Sequence, residues 1–154
     1  MRTPITFDIA DLLPHTDRMR LLDRAVEGDM EGLVAEVTIR EDCLFHETDG
    51  VGGWVGIEFM AQAIGAWAGW QQRLRGQPLK VGYLLGTRRY ECSRPTFKAG
   101  ELLRVEVHRQ FWSDTGMSQF DCTIGIGGDT VATAALTVFE PPVPGEEMKV
   151  STDE

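Results

Sequence analysis

The chain has 154 residues, 42% of them apolar and 25% charged, with 24 acidic side chains against 15 basic ones and a net charge of −9. This length and apolar share suit one globular domain with a real core, and exclude wholesale disorder, a collagen repeat or a disulfide framework. The negative balance argues against nucleic acid as a partner, because general binding to it needs a positive surface that displaces phosphate counterions.

The start, MRTPITFDIADLL, lacks the basic-then-apolar pattern of a secretion leader. Cys43, Cys92 and Cys122 are odd in number and form no Cys-x-x-Cys pair. The expectation is a reduced, cytoplasmic protein whose thiols act as small buried apolar side chains. Residues 8–15, DIADLLPH, predict a short helix ending near Pro14, and 19–26, MRLLDRAV, a first strand. From Met30 the pattern alternates: Leu33, Ala35, Val37 and Ile39 share one side, and Val34, Glu36, Thr38 and Arg40 the other, as in a half-buried strand.

Residues 42–53 predict a loop that contains His46 and ends in glycines. The stretch from Val51 to Gly69 carries a single charge and is long enough to cross a membrane. However, it opens with glycines at 50, 52 and 53, holds Glu58 and Gln62 near its middle, and lacks flanking basic clusters and aromatic belts. It reads instead as a helix buried in the core, from Trp54 to about Gln72, with Arg73, Arg75 and Gly76 marking its exit; no membrane partner is expected.

The remainder reads as strands at Leu79–Ser93, Leu103–Trp112, Met117–Ile126 and Thr130–Glu140, the last three joined by turns at 113–116 and 127–129 into two antiparallel hairpins. The tail from 141 to 154, PPVPGEEMKVSTDE, is acidic and proline-rich and is expected to be disordered, which leaves a domain at 1–140. One long apolar helix with a four-strand meander after it, and one or two strands before, predicts an α+β fold in which a curved antiparallel sheet wraps the helix. The sheet edges then need covering, and edge-to-edge dimerisation is the economical way to do so.

Three histidines can serve as acid or base near neutral pH. His108 falls on the polar side of its strand and reads as a surface residue, and His15, after Pro14, as a cation at a helix end. His46 differs by lying in the glycine-containing loop that feeds the buried helix. Glu58 is the only charge between Asp49 and Arg73 and sits about one turn inside that helix. A lone buried carboxylate is costly unless hydrogen-bonded, and Gln62, one turn on, shares its face with Ala61 and Gly65. Either Glu58 faces a ligand in the room these small residues leave, or it is a structural carboxylate. Gly52 and Gly53 could bring backbone N–H groups at the helix start to an oxyanion, or merely make a tight turn. Together, an imidazole, a low-dielectric carboxyl and backbone donors suit proton abstraction beside a carbonyl. A nucleophile elbow, a phosphate loop and a His/Cys metal cluster are absent from the sequence.

The segments LLPHTDRMRLLDRAV, GIEFMAQAIG and GTRRYECSRPTFKAGELLRVEV, in this order, resemble the β-hydroxyacyl-acyl-carrier-protein dehydratases of the hot-dog fold over roughly residues 8–140. The loop differs from that family's usual pattern, reading FHETDG and Gly52-Gly53, and is similar to the subgroup linked to aryl-polyene lipid pathways. The resemblance implies that His46 removes the α-proton of a 3-hydroxyacyl thioester and Glu58 protonates the leaving hydroxyl. It also implies that the Gly53 N–H receives the thioester oxygen, Gly52 borders the same substrate site, and Gln62 supports Glu58. The product is a trans-2-enoyl thioester, and no metal or organic cofactor is required. Histidine and glutamate come from opposite subunits, so the expected state is a homodimer or dimer of dimers, or a heterodimer with a related dehydratase. Two alternatives stay open, a hot-dog acyl thioesterase and a weakly active or non-catalytic partner subunit of another dehydratase.

The family's substrate carrier is an acidic acyl carrier protein with a phosphopantetheine arm. Between residues 73 and 98 the chain holds Arg73, Arg75, Lys80, Arg88, Arg89, Arg94 and Lys98 against Glu91 alone, a local balance of +6. Arg73, Arg75, Lys80, Arg88 and Arg89 are the expected carrier-docking patch.

Overall fold

The computed structural model describes residues 2–15, 17–79 and 82–141. The strands are β1 (Thr3–Pro4), β2 (Arg24–Gly28), β3 (Gly32–Thr38), β4 (His46–Glu47), β5 (Gly50–Gly52), β6 (Tyr83–Cys92), β7 (Thr96–Phe97), β8 (Leu102–Trp112), β9 (Met117–Ile126) and β10 (Asp129–Phe139), and the helix is α1 (Gly56–Leu74). The main sheet runs β1-β2-β3-β8-β9-β10-β6, and β4-β5-β7 form a small second sheet. This is the α+β hot-dog arrangement: one long helix held against a large antiparallel sheet.

The alternation read from the sequence explains the core. Leu33, Ala35, Val37 and Ile39 are all buried, as are Leu103, Val105 and Val107 facing them from β8. Against these the helix sets Phe59, Met60, Ala63, Trp67 and Trp70, each at most 8% exposed. Burying a side chain of this size is worth about 1.5–3 kcal/mol, so this face alone fixes the helix on the sheet. Both expected hairpins are present, β8-β9 and β9-β10.

Three expectations are corrected. The N-terminal helix shrinks to a single 3-10 turn at Ile9–Asp11, since Pro14 and the strapping of the following segment leave no room for a longer one. The small sheet was not foreseen, because strands of two or three residues carry no periodicity. The four strands after the helix are also no simple meander: β6 pairs with β10 at the far edge, whereas β8 lies beside β3. Along its outer side β6 meets no strand among the described residues, and Tyr83, Leu84 and Leu85 are 54%, 42% and 55% exposed. The expected disordered tail falls almost wholly outside the described residues. No helix among them is long and apolar enough to cross a membrane.

A strap of N-terminal chain lies along α1. Gly69 lets the Leu12 backbone rest directly on the helix; a Cβ there would meet the Leu12 carbonyl oxygen at 2.0 Å. The Arg73 Nε donates to the Asp11 carbonyl at 2.9 Å. Further along, the Gln62 side chain holds Met19 and Leu21, so residues 11–15 and 17–21 lie along the helix from its last turn toward its first.

Candidate active site

Glu58 lies in the first turn of α1, half-buried, and the expected i, i+4 contact is made: Gln62 Nε2 donates to Glu58 Oε1 at 3.2 Å. Gln62 is 2% exposed and fully committed. Its Oε1 accepts from the Leu21 N–H at 2.8 Å, and its Nε2 also donates to the Met19 carbonyl at 2.7 Å. These backbone partners fix which end of the amide is oxygen and which is nitrogen, so Gln62 can only donate to Glu58. One carboxylate oxygen is thereby held, and the other has no hydrogen bond among the described residues.

Beside Glu58 opens a cavity of about 280 Å³. Its helix wall is Glu58, Ala61, Gln62, Gly65 and Ala68, its far wall Tyr83 and Leu84 of β6 with Val138 and Phe139 of β10, and the strap contributes Pro14 and His15. The small residues on the Glu58 face do leave room, as their spacing suggested. His15 corrects a further expectation. No helix ends beside it; its ring lines the same cavity as Glu58, and its Nδ1 is buried with no hydrogen-bond partner.

His46 sits on β4, opposite Val51 of β5, and its Nε2 is likewise buried with no partner. The neighbouring Phe45 ring meets Trp54 edge-on at 5.7 Å, which ties this loop to the helix start. His46 is not among the walls of the Glu58 cavity, and no hydrogen bond joins the two within the described chain. His108 is exposed on β8.

The two glycines before the helix have structural reasons to be glycine. A Cβ on Gly52 would meet the Trp54 indole at 2.4 Å, and one on Gly53 the Arg94 carbonyl oxygen at 2.2 Å. The expected oxyanion role of Gly53 is corrected, because its N–H already donates to the Pro95 carbonyl at 2.9 Å. β7 and the residues before it pass too close to leave that N–H free.

The basic run is also not one patch. Arg73 and Arg75 stand at the end of α1, while Arg88 and Arg89 precede Tyr90, whose hydroxyl reaches Gly53 at the other end. The helix near whose ends they lie is about 28 Å long at 1.5 Å per residue. Arg94 is engaged with Glu101 at 2.5 Å, and Lys80 lies outside the described residues. Arg88 and Arg89 are exposed, at the Glu58 end.

The model of the ApeP-like family, described as ApeP dehydratase, matches residues 7–150. The chain belongs to the ApeP-like dehydratase family. Among solved structures, this dehydratase is similar to the dehydratase heterocomplex ApeI:P from Xenorhabdus doucetiae, with 28% identity over 95% of this chain and 98% of that one, and a TM-score of 0.83. It also shares its fold with the PaaI protein of the Escherichia coli phenylacetic acid degradation operon, with 16% identity over 77% and 78% of the chains and a TM-score of 0.58. A further likeness is to a hypothetical thioesterase from Streptococcus pneumoniae with coenzyme A, with 16% identity over 71% and 78% and a TM-score of 0.55. No curated protein matches the chain significantly.

The contact between Glu58 and Gln62 follows from their spacing, whereas only the placement of the strap, not any local pattern, brings the His15 ring to the same cavity. Cys122 is buried as expected, with its thiol pushed up to about 12 chiefly by burial, while Cys43 and Cys92 are half-buried; all three are free. Among the described residues no three His, Cys, Asp or Glu side chains gather as a metal ion would need.

Proposed function

We propose that this dehydratase converts a 3-hydroxyacyl thioester, carried on an acidic acyl carrier protein, to the trans-2-enoyl thioester in fatty-acid or polyene-type lipid synthesis. The observation that carries the reading is Glu58, oriented by a buried amide in the wall of a largely apolar cavity that a hydrophobic acyl chain would fill. His46 of one subunit takes the α-proton and Glu58 of another protonates the departing 3-hydroxyl. One C–H and one C–O bond break, the C=C bond forms, and water leaves. The separation of His46 from the Glu58 cavity within a chain, and the unpartnered His46 Nε2, support a site completed by a second chain. That second chain is another copy or a related dehydratase, and the likeness to a dehydratase heterocomplex favours keeping both. Gly52 and Gly53 border the substrate by their backbone. The reaction needs no cofactor, since the thioester itself stabilises the developing negative charge.

His46→Ala and Glu58→Gln are expected to lower turnover of a 3-hydroxyacyl thioester, read by enoyl absorbance, by about 10² to 10⁴-fold with the fold intact. His108→Ala is expected to be silent. Near-wild-type turnover by either of the first two variants overturns the dyad, and release of free thiol in place of enoyl product would identify a thioesterase.

A further inference from the structure

We propose that Tyr90 is a positioning residue of this dehydratase: its hydroxyl, turned inward by a bulge at Arg89, clamps the Gly53 peptide and so fixes the helix turn that carries Glu58. The proposal rests on Glu58 being used as read above.

The register of β6 against β10 shows how Tyr90 is aimed. Glu91 faces Thr133 and Arg88 faces Ala135, so Arg89 and Tyr90 together oppose the single residue Ala134. Such two-for-one bulges bend a strand and re-aim its side chains. Arg89 absorbs the bend at φ 52°, the only non-glycine residue of positive φ among those described. Arginine rarely adopts this conformation, and it persists only where the surroundings impose it. The consequence shows one residue on: Tyr83 to Arg89 are all exposed, but Tyr90 is half-buried and its hydroxyl donates to the Gly53 carbonyl.

That carbonyl also accepts the Gly56 N–H, and the Gly53 N–H donates to Pro95. Both backbone polar groups of Gly53 are therefore held, two of the three bonds coming from the segment 90–95. The helix has made room for the hydroxyl as well. A Cβ on Gly56 would stand 2.1 Å from the Tyr90 oxygen, with Ile124 Cδ1 at 3.1 Å and Tyr90 Cζ at 3.2 Å behind it. Burial pushes the phenol's pKa up, so the hydroxyl remains a donor throughout the neutral range. Tyr90 is not among the walls of the Glu58 cavity, so a loss on removing its hydroxyl is transmitted through the helix start.

The test uses the full chain, with a 3-hydroxyacyl N-acetylcysteamine thioester as substrate and amide hydrogen exchange as a second readout. Tyr90→Phe is expected to lower kcat by about ten- to a hundredfold through misplacement of Glu58. KM should stay within about twofold, since no substrate contact is lost. Exchange at residues 53–59 should accelerate by at least about tenfold while β8 and β9 keep their protection. Gly56→Ala is expected to lower kcat at least as far, because its Cβ collides with the hydroxyl that makes the clamp, and the double variant to lose no more than the larger of the two single losses, because without the hydroxyl the nearest atoms stand at 3.1 and 3.2 Å. Wild-type exchange and kcat in Tyr90→Phe overturn the proposal, as does a double variant whose loss is the product of the two single losses. A wild-type chain that leaves the thioester unchanged sinks the dehydratase reading instead, and exchange at 53–59 then decides the clamp alone.

Discussion

Replacing Gln62 by leucine removes an amide that is 2% exposed and spans three partners. The Leu21 N–H, on a residue 7% exposed, loses its acceptor, and an orphaned buried donor costs about 1–3 kcal/mol. The Met19 carbonyl belongs to a residue 54% exposed, so water can replace much of that bond. The 3.2 Å bond to Glu58 adds a fraction of this. Leucine returns some apolar burial, so the net cost is about 1.5–3 kcal/mol. For a chain of this size that lowers Tm by about 3–12 °C. The assay is thermal and urea unfolding at fixed protein concentration. Gln62→Glu keeps the shape and the acceptor for Leu21, but points acceptors at the Met19 carbonyl and the Glu58 carboxylate, and should cost at least as much. A Gln62→Leu variant melting within about 1 °C of wild type refutes the view that this amide holds the strap.

Two further outcomes rest on the charges. Glu101 is held below the usual carboxylate range, first by its hydrogen bond to Arg94 and then, against burial, by the Lys98 N–H. A carboxylate depressed on folding stabilises above its unfolded pKa, and that gain disappears as pH falls through the folded one. The stability advantage of wild type over Glu101→Gln should therefore be full at neutral pH and fade below roughly pH 4; a constant difference across that range would contradict the assignment. Charge reversal at Arg88 or Arg89 should raise KM for a carrier-linked substrate, more so at low salt, and barely affect the cysteamine thioester. Equal effects on both substrates would mean the carrier docks elsewhere.

The parts of the molecule that announce themselves locally were legible in the sequence. The long apolar helix with its one carboxylate, the Glu58–Gln62 spacing and the two hairpin turns all depend on residues a few positions apart. What depends on distant chain segments was not. Nothing near His15 shows that Gly69 lets the strap lie flat on the helix, and nothing near Gly53 shows that Pro95 takes its N–H. Arg89 is the sharpest case, since arginine gives no hint of a left-handed bulge, and only the pairing with β10 reveals it. The basic run shows the same limit: nearness along the chain became positions near opposite ends of one helix.

The position of β6 also bears on how the molecule comes into being. Its only strand neighbour among the described residues, β10, spans 129–139, although β6 is complete by residue 92. During synthesis the helix and β6 therefore emerge well before the strand that holds β6 to the sheet, and contacts over such separations form slowly. Until then the Glu58 cavity lacks its β10 wall, and the Arg89 bulge has nothing to bulge against. Chains stopped short of the final hairpin thus present neither a finished edge nor a finished cavity.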